Sequence, residues 1–269
     1  MKKGVISNFI RKAGLLPLAD RLRFYMEKFR NRKINMEFLE KHPEIKLPPD
    51  YLLYESFQLN YKKYYSDSVE TAQWLAGLLK KHIQLKDIKI LDWGCGPGRV
   101  IRHLHKFTGD GCVFYGTDYN SKSIVWCSQN LPGIQFNKNR MDASLPYPDN
   151  FFNVIYGISI FTHLSRQMHF DWYHELSRVL KPGGIMLITT QGNNFKAKLT
   201  SQEIILFNNG ELVVRGKVKE GHRTWSAFHP KKFMENLLVN ASILEHIEYN
   251  PQGYAWLPQD VWIIKKLEK

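Results

Sequence analysis

The stretch Ile90-Leu91-Asp92-Trp93-Gly94-Cys95-Gly96-Pro97-Gly98-Arg99 organises the rest of the chain. It starts with apolar residues typical of a short buried strand, then places glycine at every second position before a helical pattern resumes at Val100. Glycines lack the Cβ atoms that would hold a ligand off the backbone, and a helix start offers free N–H groups. The stretch therefore predicts a strand, a ligand-binding loop and a helix, with Asp92 at the strand end able to accept hydrogen bonds.

The spacing of the glycines separates this loop from a dinucleotide-binding fingerprint. That fingerprint is Gly-x-Gly-x-x-Gly, whereas here the third glycine comes one residue early, giving Asp-x-Gly-x-Gly-x-Gly. The loop resembles the first motif of class I S-adenosylmethionine-dependent methyltransferases, whose cofactor has an amino-acid end and no phosphate. The resemblance implies a cofactor site that includes Asp92, Gly94, Cys95, Gly96, Gly98 and Arg99.

Two further acids follow predicted strands. Residues 113–118 have the pattern of the second strand and end in Asp118, where the resemblance places the carboxylate that binds both ribose hydroxyls, next to Tyr119. Residues 136–142 offer a third strand end, and the resemblance places Met141, Asp142 and Ala143 against the adenine. An acid after the second strand also suits the ribose of NAD, so an NAD-dependent oxidoreductase stays an alternative.

A second motif lies after the predicted fourth strand, residues 152–158, whose end adds Ile158 and Ser159 to the cofactor contacts. The sequence Glu175-Leu176-Ser177-Arg178-Val179-Leu180-Lys181-Pro182-Gly183-Gly184 ends a helix expected from about 165 to 180 and leads into a fifth strand at 185–189. It resembles the family's signature at this point. The motifs together predict an α/β fold of the Rossmann-like class I methyltransferase type. This fold has a seven-stranded, mostly parallel sheet with the last strand antiparallel, helices on both faces and, here, a helical N-terminal extension.

The expected domains are a basic, aromatic extension at 1–65 and a methyltransferase domain at 66–269 with an insertion at about 191–228. Asp67-Ser68-Val69-Glu70 has the form of a capping box, which predicts a helix start there. Thr200-Ser201-Gln202-Glu203 is a second capping box, and it favours a short helix over a hairpin in the insertion.

Cysteine usage and the N-terminal sequence bear on the compartment. The chain has three cysteines and no Cys-x-x-Cys pair, which argues for a reducing compartment and against a disulfide framework or structural zinc. The apolar run at 5–10 is too short for a signal sequence or a membrane span. We therefore expect a cytoplasmic protein and no metal site.

The positive charge is concentrated at the N-terminus. Residues 1–33 hold ten Lys or Arg against Asp20 and Glu27, so +8 of the formal +13 lies there. Large apolar side chains alternate with these charges, and the pattern predicts two amphipathic helices interrupted by Gly14 and Pro17. Such an arm either covers its own domain or contacts an anionic membrane surface or a partner protein. Basic residues are not spread around a cleft, so no specific nucleic-acid partner is expected.

The remaining candidates concern the acceptor and the proton. His163 and His229 are the candidate bases, because histidine titrates near neutrality and both lie where the predicted strand edge opens. The loop before an antiparallel last strand falls on the same edge, which makes Tyr254, Trp256, Gln259 and Asp260 candidate substrate contacts. The resemblance also places an N-terminal segment over the cofactor mouth, so Tyr65 or its neighbour Tyr64 is expected near the methionine end.

Three further segments, 159–164, 227–230 and 259–262, resemble a poorly characterised bacterial group associated with surface-polysaccharide biosynthesis. The resemblance implies O- or N-methylation of a small-molecule or glycan acceptor by S-adenosylmethionine. A non-catalytic S-adenosylmethionine-binding regulatory protein would keep the same loop and stays an alternative. An RNA methyltransferase is a weaker one, because no Asn or Asp followed by Pro-Pro-Tyr or Pro-Pro-Phe ends the fourth strand.

Overall fold

This computed structural model describes residues 14–216, 218, 220–253 and 256–268. Contacts divide the chain into a unit at 17–140 and a second unit made mainly of the residues from 141 onward. Within the described part of the chain, no helix is both long enough and apolar enough to cross a membrane. The domain boundary expected at residue 65 stays a prediction.

The first unit carries three parallel strands, with β1 pairing β2 and β2 pairing β3. The register places Asp92 opposite Gly116, so the ends of β1 and β2 lie at the same level. Five helices accompany the strands, and α1 to α3 precede them in the chain. The elements are α1 (Leu16–Lys41), α2 (Asp50–Ser56), α3 (Tyr61–Leu79), β1 (Lys89–Trp93), α4 (Ile101–Leu104), β2 (Val113–Asp118), α5 (Ser121–Asn130) and β3 (Ile134–Lys138).

The second unit carries four strands of the main sheet and a separate two-stranded ribbon. β4 runs parallel to β5, whereas β9 runs antiparallel to both β5 and β8. The ribbon pairs β6 with β7. The elements are β4 (Phe152–Gly157), α6 (Arg166–Val179), β5 (Leu180–Thr190), α7 (Ser201–Asn208), β6 (Val213–Arg215), β7 (Ser226–Phe228), α8 (Lys231–Leu237), β8 (Ala241–Ile247) and β9 (Asp260–Lys266).

The order of the seven strands is β3-β2-β1-β4-β5-β9-β8. The strand order, with the last strand antiparallel, confirms the predicted fold class. Large apolar and aromatic side chains of β1, β4 and β9 are almost completely buried, which is expected for strands covered by helices on both faces. They include Ile90, Leu91 and Trp93 in the first unit, and Tyr156 and Trp262 in the second.

Helix starts show where local sequence rules succeed and fail. At Thr200 both halves of the predicted capping box form, and the helix preferred over a hairpin is confirmed as α7. The helix start predicted at 67–70 is wrong, because α3 begins at Tyr61, where Asn60 accepts a hydrogen bond from the Lys63 N–H. Ser68 instead donates its hydroxyl proton to the Tyr64 carbonyl within the helix.

The N-terminal arm differs from the prediction in one respect. Residues 14–41 contain one continuous helix rather than a break at Pro17. Pro17 is the second residue of α1, and a proline in the first helical turn removes only an N–H that has no intrahelical acceptor. The helix expected before Gly14 lies outside the described residues.

Candidate functional site

The glycine loop after β1 has the backbone geometry that its sequence predicts. Gly96 and Gly98 adopt φ angles of +52° and +76°, in the left-handed region that side chains with a Cβ rarely occupy. A Cβ on Gly98 would lie 2.5 Å from the Leu131 side chain, so this glycine permits close packing against the end of α5. A Cβ on Gly96 would meet only the Ser56 Cβ, at 3.2 Å. Glycine at position 96 therefore lets the end of α2 lie close to the loop.

Backbone hydrogen bonds hold the loop against the end of β2. The amides of Gly94 and Cys95 both donate to the Thr117 carbonyl, at 2.8 and 2.9 Å, and the Gly98 amide donates to the Cys95 carbonyl at 3.0 Å. Because these amides are satisfied within the protein, the loop keeps its shape without a ligand.

Asp118, the last residue of β2, binds the glycine loop through its side-chain carboxylate. One carboxylate oxygen accepts the Gly96 N–H at 2.8 Å and the other accepts the Asn120 N–H at 2.7 Å. Burial raises the pKa of Asp118 to about 6, although the two N–H bonds oppose the shift; the charge of Glu55 adds to it. A carboxylate offers about four acceptor positions. Two therefore stay available for ligand hydroxyls.

Tyr64 of α3, the helix before β1, contacts the glycine loop. Its hydroxyl donates to the Pro97 carbonyl at 2.7 Å and its side chain is fully buried. Tyr65, whose place near the cofactor stays a prediction, packs edge-on against His103 and under the Arg102 guanidinium, with ring and cation separations of 4.7 and 5.1 Å. The geometry therefore favours Tyr64 over Tyr65 as the residue that positions the glycine loop.

Arg99 also contacts residues that precede β1 in the chain. Its guanidinium lies 4.4 Å from the centre of the Phe57 ring, and one nitrogen donates to the Ser68 hydroxyl at 3.2 Å. Arg99 therefore ties the start of the helical region after the loop to α3.

The other cofactor candidates lie in varied surroundings. Asp92 is buried at the end of β1, and Tyr119 is half-buried, with a pKa raised to about 12 mainly by burial. In the second unit, Met141 and Ala143 are half-buried and Asp142 is exposed, in the loop after β3; Ile158 is half-buried after β4. Their roles stay predictions.

A polar cluster forms where β4 and β5 end in the second unit. Ser159 has a φ of +66°, and its amide donates to the Thr189 hydroxyl at 2.8 Å. Gln259 bridges the two residues, since its amide nitrogen donates to the Ser159 hydroxyl at 2.8 Å and its oxygen accepts from Thr189 at 2.5 Å. The structure thus brings together Ser159 and Gln259, which the sequence assigns to cofactor and substrate.

His163 follows this cluster in the short helical turn Phe161–His163. Its Nδ1 lies 2.8 Å from the Trp225 carbonyl oxygen. A carbonyl can only accept, so Nδ1 carries the proton in this arrangement. Burial lowers the pKa of His163 below its ordinary value. The neutral ring then has its lone pair on Nε2, which has no protein partner among the described residues.

His229 forms part of a buried histidine pair instead. Its Nε2 lies 2.8 Å from Nε2 of His169, and Nδ1 of His169 lies 2.7 Å from the Ser165 carbonyl. Because that carbonyl requires a proton on Nδ1 of His169, the shared contact requires His229 to donate. Burial lowers the pKa of both rings, and His229 is only 1% exposed. The geometry supports His163 more than His229 as a base.

The predicted substrate loop is partly described. Trp256 is exposed, whereas Tyr254 lies outside the described residues. Asp260 is buried and accepts a hydrogen bond from His246 Nε2 at 3.0 Å, and its other oxygen has no partner within the described chain. His246, Glu248 and Asp260 each offer one possible metal-ligand atom. These three atoms lie within 4.8 Å of one another, the spacing of a loose metal-binding group. The hydrogen bond between His246 and Asp260 accounts for the closest contact of this group.

Several residues of these sites were not predicted from the sequence. Glu55 accepts a hydrogen bond from the Asn120 side chain at 3.0 Å, and Thr189 and His169 organise the strand-end cluster and the histidine pair. Thr189 carried a usable signal, because it ends a predicted strand. Glu55 and His169 did not, since their partners are distant in sequence.

Removing the Asp118 carboxylate should weaken cofactor binding. Charged hydrogen bonds contribute roughly 1.5 to 3 kcal/mol each, so Asp118→Ala is expected to raise the Kd of S-adenosylhomocysteine at least about tenfold. Titration calorimetry measures this. Because protonation removes an acceptor, the wild-type Kd should also rise as pH falls through about 6, and Asp118→Asn should lose that dependence. An unchanged Kd in folded Asp118→Ala would remove Asp118 from the site.

The buried histidine pair should make stability fall in acid. The folded-state pKa values lie below the unfolded value near 6.5, so the unfolded chain takes up protons first and stability is lost as pH falls below that value. Each such proton contributes a slope of about 1.4 kcal/mol per pH unit. Thermal unfolding of His169→Gln from pH 7.5 to 5 should show a shallower loss than wild type. His174→Gln, an exposed histidine on the same helix, is the control, and equal slopes in all three proteins would contradict the account.

Part of this chain is similar to known methyltransferases. Residues 90–184 match a family described as a methyltransferase domain. Phthiotriol/phenolphthiotriol dimycocerosates methyltransferase 1 of Mycobacterium ulcerans is 29% identical over 154 residues, which cover 52% of this chain and 54% of that protein. Sterol 24-C-methyltransferase erg6 of Schizosaccharomyces pombe is 31% identical over 181 residues, covering 64% and 46% respectively. The chain spans about half the length of these two relatives.

A solved structure shows the same fold. It is a SAM-dependent methyltransferase from Methanosarcina mazei, with a TM-score of 0.55 and 20% sequence identity. The match covers 71% of this chain and 98% of that one.

Proposed function

We propose that this chain transfers a methyl group from S-adenosylmethionine to a small-molecule or glycan acceptor, since residues 90–184 match a methyltransferase domain and the fold is that of a solved SAM-dependent methyltransferase. The observation that carries the proposal is the loop at Gly94 to Gly98, fixed by the Thr117 carbonyl and completed by the buried Asp118 carboxylate. The spare acceptor positions of Asp118 fit a ligand with two neighbouring hydroxyls.

Each residue of the site has a proposed task. Asp118 accepts the ribose hydroxyls, and Asp92 faces the cationic amino-acid end. The glycines keep the loop surface free, and Tyr64 and Arg99 hold the loop in place. The remaining proposed contacts are Cys95 and Tyr119 in the first unit, and Met141, Asp142, Ala143, Ile158 and Ser159 in the second.

His163 is the proposed base for an alcohol acceptor. S-adenosylmethionine, when bound, would supply an electrophilic methyl carbon, which the acceptor oxygen would take as the carbon–sulfur bond breaks and its electrons stay on sulfur. The acceptor proton has to leave, and the Nε2 lone pair of a neutral His163 can receive it. The Trp225 carbonyl holds the ring in that tautomer and stabilises the charge that develops when Nε2 is protonated.

The acceptor is proposed to be a small molecule or glycan rather than RNA. By their names, the two relatives act on a phthiotriol dimycocerosate and a sterol, which are small molecules. Gln259 contributes a polar group at the strand-end cluster and Trp256 an exposed aromatic surface suited to stacking on a ring. The resemblance to a bacterial surface-polysaccharide group favours a sugar hydroxyl. These points also favour a cytoplasmic site of action, where nucleotide sugars are available.

A labelled-methyl screen tests the proposal. The full chain is incubated with methyl-labelled S-adenosylmethionine and panels of nucleotide sugars, glycans, small metabolites and RNA. We expect label in a small-molecule or glycan panel, lost on boiling and absent with Asp118→Ala. Transfer to RNA alone would contradict the acceptor class. Tight cofactor binding with no transfer in any panel would favour the non-catalytic alternative.

A further inference from the structure

The N-terminal helix α1 turns a row of large apolar side chains away from the protein. These residues recur at intervals of three or four, so they lie on one face of the helix. Each is at least half exposed, and Phe29 is 81% exposed. The members of this outer stripe are Leu18, Leu22, Tyr25, Met26 and Phe29.

The opposite face of α1 fixes the helix to its own unit. The Tyr54 hydroxyl donates to the Asp20 carboxylate at 2.9 Å, and the Asn60 amide donates to the Asn31 side chain at 3.1 Å. Further along, the Tyr61 N–H donates to Asn35 at 2.9 Å, and Phe38 is buried. These contacts prevent α1 from rotating to bury its stripe. One face of α1 therefore covers its own unit, which is one of the two alternatives predicted from the sequence, while the outer stripe stays exposed.

Basic side chains border the outer stripe on both sides. At about 100° per residue, Arg23 and Arg30 lie on one flank of the stripe. Arg21, Lys28 and Arg32 lie on the other, and all five residues are exposed. Asp20 binds Tyr54, whereas Glu27 pairs with Arg30 and Asp50 pairs with Lys28 at 2.9 Å, so Arg21, Arg23 and Arg32 carry the charge of the two edges. The face that carries the apolar stripe is therefore positively charged along both edges.

We propose that the outer stripe docks on an anionic lipid bilayer, with α1 lying parallel to the surface. An interfacial helix buries its apolar face at the level of the headgroups and places Lys and Arg beside the lipid phosphates, which is the arrangement of this helix. Lys2, Lys3, Arg11 and Lys12 add positive charge just before it in the sequence.

A second copy of the chain fits the same surface less well. Pairing two outer stripes would bring the basic borders of both helices together, and like charges in contact oppose association. A bilayer with negatively charged headgroups would instead bury the apolar face and attract the basic residues on both borders. The inference is independent of the proposed methyl transfer, since it rests on residues outside the cofactor loop.

Co-sedimentation of the full chain with vesicles tests the proposal. We expect binding to phosphatidylcholine vesicles that contain phosphatidylglycerol, little binding to phosphatidylcholine alone, and release at high salt. The double variant Leu22→Ser/Phe29→Ser should lower the partition coefficient at least about tenfold, because it removes apolar area. Arg23→Gln/Arg32→Gln should lower it about tenfold and reduce the salt dependence.

Matched variants separate the stripe from general surface effects. Val125→Ser/Ile205→Ser removes two apolar side chains that are similarly exposed elsewhere, and Lys62→Gln/Lys63→Gln removes two exposed basic residues of α3. Both control variants should bind vesicles like wild type, and all four should bind S-adenosylhomocysteine normally. Absence of vesicle binding, binding unaffected by the stripe variants, or self-association abolished by Leu22→Ser/Phe29→Ser without vesicle binding would each overturn the proposal.

Discussion

Gly96→Val is expected to lower the affinity for S-adenosylhomocysteine at least about a hundredfold while leaving the protein folded. The valine Cβ would approach the Ser56 Cβ to 3.2 Å, so the side chain would crowd the loop where we place the ligand. Gly96 also has a φ of +52°, which disfavours a β-branched residue and would distort the loop. Steric exclusion and distortion act in the same direction, so this single change should have the largest effect on binding. Titration calorimetry measures it.

Gly133→Val is the matched control for this substitution. Gly133 also has a positive φ, +81°, but a Cβ there meets no atom within 4 Å. The two variants therefore share the backbone strain and differ in proximity to the proposed site. We expect Gly133→Val to lose some thermal stability and to keep its affinity. Equal affinities in wild type and folded Gly96→Val would show that the ligand binds elsewhere.

His163→Gln is expected to lower kcat about a hundredfold or more on the acceptor found by the screen, with KM changed only a few-fold. General-base catalysis typically contributes a factor of about 10² to 10⁴. Glutamine can still donate to the Trp225 carbonyl, which preserves the local contact, but it has no basic lone pair. Steady-state kinetics with S-adenosylmethionine saturating measures the loss.

The pH profile distinguishes a base from a structural residue. Because burial lowers the pKa of His163, the neutral form persists below the ordinary histidine value, and wild-type kcat should fall only in acid. The variant should lack that acidic limb. His174→Gln is the control, since His174 is exposed on α6, and it should leave kcat unchanged. If kcat of His163→Gln matches wild type across the profile, the reaction uses no base at this position.

The sequence identified the parts of the fold that local patterns determine. The strand predicted at 113–118 has those bounds as β2, and the glycine loop follows β1 as expected, because buried strands and tight turns have strong composition signals. The capping box at Thr200 formed for the same reason, since its two hydrogen bonds join residues only three apart.

Competition between neighbouring signals explains the helix start that was predicted wrongly. The residues Asp67 to Glu70 satisfy the capping pattern, but Asn60 lies about two helical turns earlier and caps the same helix. Residues between the two starts, including Tyr64, have their own packing reasons to be helical. Local sequence rules cannot decide between two possible N-caps when tertiary contacts determine which one is used.

Contacts in the candidate site could be predicted only where one sequence motif includes both residues of the contact. Asp118 and Gly96 are 22 residues apart in the sequence, yet their hydrogen bond follows from the strand–loop–strand unit that the motif implies. His229 and His169 are 60 residues apart, and nothing in the sequence relates them. His229 therefore has the same sequence signal as His163, although His229 is almost completely buried against His169.

Titration calorimetry of the full chain with S-adenosylhomocysteine, and separately with NADH, tests the central claim most directly. The account predicts saturable binding of S-adenosylhomocysteine at one site, weakened by Asp118→Ala and abolished by Gly96→Val, and no heat from NADH. Binding of NADH with no response to S-adenosylhomocysteine would contradict it.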